Sequence, residues 1–274
     1  MKITHLSPTR IKELLKSPYH LNMYIYGEKK QTDAMIEGSL IDCLLFEPEK
    51  FSEKFKVMPS FNCATTKGKT ELSNFLGCEY TSKDAMIKNY SLSTGKMIID
   101  SEQLKYAERL ANGVRNNHTV VVNGLLSDRF EFQKKIEFYE LGFKHIGICD
   151  AAGHCAQTRK FTIWDLKLMS NCHGAKDVIR EIRKNRIDLQ LLIYASAYEQ
   201  KGIEVDTVII AVDNLGLVTP VRISKEHREY ARFDWYAAIK KAKQINNDFD
   251  LSTNPTMHLD GYDAWLNGGY YFEM

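Results

Sequence analysis

Phe161-Thr162-Ile163-Trp164-Asp165-Leu166-Lys167-Leu168 has the composition of a buried strand, rich in aromatic and branched residues and free of glycine and proline. Side chains alternate along a strand, so Ile163, Asp165 and Lys167 share one face while Trp164, Leu166 and Leu168 share the other. By itself an acid two residues before a lysine is a weak signal. Glu28-Lys29-Lys30 and Glu199-Gln200-Lys201 show the same spacing by composition, and an exposed Asp165–Lys167 ion pair would be worth little.

The company of Asp165 strengthens the signal. Phe130 to Phe138 and Phe143 to Asp150 read as two further strands, with Leu141-Gly142 and Ala151-Ala152-Gly153 as turns, which predicts an antiparallel meander. Asp150 would end the strand before Asp165, and a hairpin of this length brings both carboxylates to one sheet edge. Two such groups repel unless a proton or a cation lies between them. A hard divalent cation, with Mg²⁺ the usual candidate, meets that demand. The chemistry this suits is phosphodiester hydrolysis, with Lys167 holding the attacking water or stabilising the charge that develops on phosphorus.

Outward from this strand, Ala175 to Gln200 reads as helical, Val205 to Val212 and Val218 to Ile223 as strands, and Lys225 to Asn246 as a long helix. Ala231, Trp235, Ala238, Ala242 and Ile245 form the packed stripe of that last helix. Gln190 and Tyr194 lie one turn apart amid apolar residues, and face either the acid edge or hydrogen-bonded partners in the core. Upstream, Ser7-Pro8 opens a helix, Ser17-Pro18 interrupts it, and Asp33 to Phe46, Lys67 to Leu76, Lys83 to Tyr90 and Lys96 to Arg115 read as further helices. Asp42 sits inside the apolar helix before Pro48, where it either reaches solvent or becomes another cation ligand.

The order α-rich, βββ, α, ββ, α predicts an α/β or α+β fold with a mixed central sheet flanked by helices. The expected organisation is one domain over 1–274: a mainly helical part at 1–125, the sheet and its helices at 126–250, and an aromatic, glycine-rich tail at 251–274 lying over the core. A net charge of +2 argues against binding nucleic acid through a bulk positive surface. Phosphate contacts would therefore be local, at Arg180, Arg183 and Lys184 or at Lys67 and Lys69; the solvated-face reading is at least as strong for Arg228, Arg232, Lys240 and Lys243. Cys43, Cys63, Cys78, Cys149, Cys155 and Cys172 contain no C-x-x-C pair, which predicts a reduced, cytoplasmic protein without a membrane segment. Cys149, His154, Cys155, Cys172 and His173 cluster in sequence but lack zinc-knuckle spacing, and read as buried or loop residues.

In order, Asp150, Asp165-Leu166-Lys167 and Gln190-x3-Tyr194 resemble the catalytic strands and helix of RecB-type nucleases of the PD-(D/E)XK superfamily. Leu6-Ser7-Pro8-Thr9-Arg10-Ile11-Lys12, Ser17-Pro18-Tyr19-His20 and Gly38-Ser39-Leu40-Ile41-Asp42-Cys43-Leu44-Leu45-Phe46-Glu47-Pro48 resemble the start of the RecE-like (exodeoxyribonuclease VIII-type) phage exonucleases, and Thr66-Lys67-Gly68-Lys69 their short basic segment. The likeness runs from about Leu6 to Tyr198. It implies a restriction-endonuclease-like core and a Mg²⁺- or Mn²⁺-dependent exonuclease digesting linear double-stranded DNA from an end, 5′ to 3′, to leave 3′ overhangs.

It also implies a ring-like homo-oligomer, such as a tetramer, and a single-strand annealing protein as partner in phage or prophage recombination in the bacterial cytoplasm. By position, Asp150 and Asp165 would ligate metal with the Leu166 carbonyl, Lys167 would be catalytic, and Gln190 and Tyr194 would support the site. Glu131 is the choice for an upstream acid, with Glu137 in reserve. Relatives commonly carry histidine at the position of Asp42, and an aromatic residue at that of Ile187. Two other readings stand beside this one: a non-catalytic DNA-end or partner-binding protein on a nuclease scaffold, and a RecB-like or Cas4-like nuclease acting on single strands.

Overall fold

The computed structural model describes residues 3–27, 32–170, 172 and 174–248. Strand β1 (His5–Leu6) leads into α1 (Pro8–Lys16) and α2 (Pro18–Tyr26). Ser7 and Ser17 start these two helices: each hydroxyl accepts a backbone N–H of the first turn, from Arg10 and His20, and each is followed by proline. Next come α3 (Asp33–Phe46), a 3-10 turn at Pro48–Lys50, α4 (Phe51–Lys54), β2 (Phe55–Met58), α5 (Thr66–Leu76), α6 (Lys83–Thr94), β3 (Met97–Asp100), α7 (Ser101–Asn116) and α8 (His118–Asn123). The second half holds β4 (Phe130–Glu140), β5 (Phe143–His154), β6 (Phe161–Leu168), α9 (Ala175–Lys184), α10 (Ile187–Glu199), β7 (Val205–Val212), β8 (Val218–Ile223) and α11 (Lys225–Asp248).

The fold class is the expected mixed α/β one. Six strands form one mixed sheet in the order β1-β5-β6-β7-β8, with β4 along the other edge of β5. Strands β4, β5 and β6 are antiparallel, β6 and β7 are parallel, and β7 and β8 are antiparallel. The parallel β6–β7 pair needs a crossover, which α9 and α10 supply. Both faces of the sheet are covered. One packs Ile163 and Ile209 against Leu14 of α1, Leu189 of α10 and Trp235 of α11; the other packs Trp164, Leu166 and Ile210 against Leu40 and Ile41 of α3 and Leu110 of α7. A third apolar cluster joins β2 and β3 to α5 and α6 through Met58, Leu72, Leu76, Met86 and Ile98.

Three expectations change in detail. The helix read from Lys96 to Arg115 begins only at Ser101, because Asp100 and Gln103 form a reciprocal capping box there; Met97 to Asp100 instead pair in parallel with Phe55 to Met58. The Ala151-Ala152-Gly153 segment is strand, not turn, and pairs on both sides. Its small residues reflect close packing, since a Cβ at Gly153 would lie 2.1 Å from the Arg129 carbonyl oxygen. The helix read over 175–200 is two helices, broken at Arg186, whose backbone is left-handed at φ 50°. The tail at 251–274 lies outside the described residues.

Candidate active site

The site forms where β5 and β6 part. Strand β5 pairs with β4 over nearly its whole length, but its opposite edge is shared: β1 takes Lys144 and His145, and β6 takes Ala151 to His154. The β5–β6 ladder ends at Ala151↔Trp164. Continued by one step, its register would set Asp150 against Asp165, so the two acids stand at the fork of the diverging strands. There the Asp150 carboxylate replaces a strand partner and accepts the Leu166 backbone N–H at 2.6 Å.

Asp165 is fully buried and has a partner on each oxygen. Oδ1 accepts the Gln190 amide at 2.9 Å, and Oδ2 pairs with the Lys167 ammonium at 2.5 Å. Lys167 also donates to the Leu166 carbonyl at 3.1 Å. The Gln190 amide further donates to the Tyr194 hydroxyl at 3.3 Å, while its carbonyl oxygen accepts the Lys12 ammonium at 3.4 Å. Helix α10 holds this pair over the fork because Leu189, Leu191, Leu192 and Ile193 are buried around it. Strand β5 makes room for Tyr194 with Gly147, where any Cβ would sit 2.5 Å from the ring.

The electrostatics are those of crowded acids. Burial raises the Asp150 pKa well above the ordinary carboxylate range, and the charges of Asp165 and Asp42 add to the effect. Asp42, reaching the fork from α3 in the opposite layer, is pushed up to about 7 by burial; Asp165 opposes Lys167 there. Burial pulls the Lys167 ammonium down, but Asp165, Asp150 and Asp42 together hold it above the usual lysine value. Burial and the Lys167 charge lower Lys12 to about 8. Burial, then the charges of Asp165 and Asp150, lift the Tyr194 phenol above its usual value, so it stays protonated.

Among the described residues no group of three or more His, Cys, Asp or Glu side chains is arranged as a ready metal cage. The donor chemistry nonetheless fits a hard cation of the Mg²⁺ type, which is held through one or two carboxylates and completes its shell with water and substrate oxygens. Asp150 and Asp165 are the pair, with Asp42 and the Leu166 carbonyl next to them. Burial is the main cause of the raised pKa values of Asp42 and Asp150; at Asp150 the charges of Asp165 and Asp42 add to it, whereas at Asp42 the Lys167 charge outweighs that of Asp165.

Other predicted residues lie elsewhere. Glu131 on β4 is 69% exposed and ion-paired with Lys134, and Glu137 is paired with Lys135 and Lys144, so neither joins the fork. Their distance before Asp150 in sequence does not encode which part of the sheet they reach. Lys67 and Lys69 stand on α5, the first exposed near Glu71 and the second over the Tyr80 ring. Arg180 pairs with Asp177 on its own helix; Lys184 pairs with Glu181 and, alone of these basic residues, also lines the cleft that holds Lys12; Arg183 lines a separate cleft with Arg186, His227 and Tyr230. The thiols of Cys149, Cys155 and Cys172 donate to separate acceptors, the Lys134 carbonyl, the Asn123 amide oxygen and the Met169 carbonyl, while His173 is outside the described residues.

Sequence reasoning did not single out Lys12. It lines a cleft with Lys16, Lys184 and Arg186, and its bond to Gln190 connects that basic cleft to the acids. In sequence it stood only as the last residue of the Leu6-to-Lys12 stretch that carries part of the resemblance, beside Ile11 in an amphipathic helix.

A scan of protein-family models and a search of curated proteins each found no match. Among solved structures, the chain is similar to a protein of Eubacterium rectale described as a "Putative exonuclease", with a TM-score of 0.57 and 12% identity over 89% of this chain and 82% of that one. A second structure, SSO0001, aligns over 88% of this chain and 86% of its own at 12% identity, with a TM-score of 0.29 that bears no weight. The first likeness is one of fold.

Proposed function

We propose that this chain is a metal-dependent exodeoxyribonuclease that digests linear double-stranded DNA from an end. The observation that carries the reading is the meeting of Asp150, Asp165 and Lys167 at the fork of β5 and β6, with Asp42 beside them. The fold shared with a protein described as an exonuclease supports it. Asp150 and Asp165 would hold Mg²⁺ or Mn²⁺, helped by Asp42 and the Leu166 carbonyl. Such an ion polarises a phosphoryl oxygen and acidifies a water molecule.

The chain's own groups divide the remaining work. Lys167, kept protonated by its three acids, lies where negative charge gathers on the reacting phosphate. Gln190 orients Asp165, and Tyr194 braces Gln190. Lys12, Lys16, Lys184 and Arg186 form a local basic cleft beside the acids for the DNA backbone, in keeping with a net charge too small for long-range capture. Removal of the 5′-ended strand to leave a 3′ overhang, a ring-like homo-oligomer, a single-strand annealing partner and a phage or prophage setting in the bacterial cytoplasm complete the proposal, on the sequence resemblance.

The test is degradation of linear duplex in Mg²⁺. Lys167→Ala and Asp165→Ala should each lower the rate by about a hundredfold or more, with circular dichroism unchanged. A folded variant with wild-type rates would overturn the reading. Preference for single strands in the same assay would replace it with the RecB-like alternative.

A further inference from the structure

The basic cleft of Lys12, Lys16, Lys184 and Arg186 has a neighbour. Arg186 also lines a second cleft, of about 360 Å³, between the α9–α10 junction and α11, together with Arg183, Asp188, His227, Tyr230 and Asp234. The two therefore meet at one guanidinium. Arg186 separates α9 from α10 with a left-handed backbone at φ 50°, and its side chain ion-pairs with Asp234 of α11. A non-glycine residue keeps that conformation only where its surroundings hold it there, so the junction between the clefts is a fixed point of the fold.

The acids of the second cleft are engaged by the protein. Asp234 holds Arg186, and Asp188 accepts the Leu189 N–H at 2.9 Å and faces the His227 ring at 3.8 Å. Arg183 differs from its neighbours on α9. Arg180 and Lys184 are matched by Asp177 and Glu181, whereas Arg183 is exposed and its guanidinium has no ion-pair or hydrogen-bond partner among the described residues. The aromatic residues of α11 divide in the same way. Trp235 is spent on the core, but Tyr230 is 80% exposed, edge-on to His227 at 6.4 Å, and Phe233, one turn along, is 81% exposed. Open aromatic rings beside unmatched positive charge are the means by which single nucleic-acid strands are held: cations follow the phosphates and a ring takes the face of a base. A paired duplex keeps its base faces stacked inside, so this combination suits an unpaired strand.

We infer that the cleft between the α9–α10 junction and α11 is a subsite for single-stranded DNA, in which Arg183 and Arg186 hold the backbone and the exposed Tyr230 ring stacks on an unpaired base. The identity of the occupant rests on the nuclease reading above, since digestion from an end leaves one strand without its complement. Arg186 gives the path its continuity: a strand lying in the second cleft passes directly into the cleft of Lys12, whose ammonium reaches Gln190 at the acid fork. The guanidinium fork of arginine suits phosphate oxygens.

The test is binding of labelled oligothymidine, and of an abasic oligonucleotide of equal length, followed by fluorescence anisotropy in a chelator so that nothing is cleaved. The wild-type chain should bind oligothymidine about tenfold more tightly than the abasic strand. Tyr230→Ala should erase that preference without weakening abasic binding, and Tyr230→Phe should keep it. Arg183→Gln should weaken both ligands alike and reduce the slope of log affinity against log salt by about 0.7. Equal binding of the two strands by wild type would overturn the inference, as would a preference that survives Tyr230→Ala or a salt slope untouched by Arg183→Gln. So would a Tyr230→Ala variant that keeps the preference but changes its mass in light scattering, which would make this face a contact between copies of the chain. Degradation of linear duplex in Mg²⁺ is measured alongside. An active wild type without base preference removes this inference alone, whereas a wild type with the preference that cleaves no duplex removes the nuclease reading and leaves the strand subsite standing.

Discussion

Glu131 and Glu137 on β4 meet lysines in water, whereas Asp42, Asp150 and Asp165 meet one another around a single half-buried Lys167. Paired lysines hold Glu137 down at about 2, below its ordinary value, while burial pushes Asp42 and Asp150 up, with repulsion from Asp165 and Asp42 adding to it at Asp150. Both sets are carboxylates of one fold and within reach of one sheet. What separates them is the ratio of cations to acids and the access of water, and those are set by where β5 parts from β6. The solvated set is electrostatically complete; the buried set lacks positive charge, which makes it a place where a divalent ion would be welcome.

Three substitutions sharpen that contrast. The larger effect belongs to Asp42→Asn. The folded pKa of Asp42 is raised above the unfolded value, so its stabilising contribution is complete below about pH 4 and is lost as the pH climbs through about 7. Without divalent ions, wild-type protein should therefore lose stability between pH 5 and pH 8. Asp42→Asn should flatten that slope and stabilise the protein at pH 8 by about 1–3 kcal/mol, though not fully, because Asp42 and Asp150 titrate together. Thermal melts across this range decide it, and an unchanged slope would mean that Asp42 is as solvated as Glu131. The smaller effect belongs to Glu131→Gln and Glu137→Gln, which should leave DNA cleavage within about twofold of wild type because exposed pairs contribute little. A large loss in either would bring β4 into the acid set and dissolve the contrast.

The parts of this arrangement legible in sequence are those written in local periodicity. Alternation along Phe161 to Leu168 placed Asp165 and Lys167 on one face, and the spacing of Gln190 and Tyr194 placed them one helical turn apart; the structure brings both pairs together with Asp150. The place of Lys12 at the site was illegible because it depends on a partner far away in the chain. Lys12 takes its place from the docking of α1 beside α10, 178 residues away in sequence. Strands β1, β2 and β3 have two to four residues each, too few for any period to show. The break at Arg186 has a similar origin, since neither glycine nor proline marks a left-handed residue imposed by packing.

The central claim is that Asp150 and Asp165 converge on a shared divalent ion. Anomalous diffraction from crystals soaked in Mn²⁺ tests this most directly. A peak bridging the Asp150 and Asp165 carboxylates is predicted in the wild-type protein, with none at that position in Asp165→Asn. Manganese bound only elsewhere, or none at the fork at a concentration that saturates the protein in solution, would contradict it.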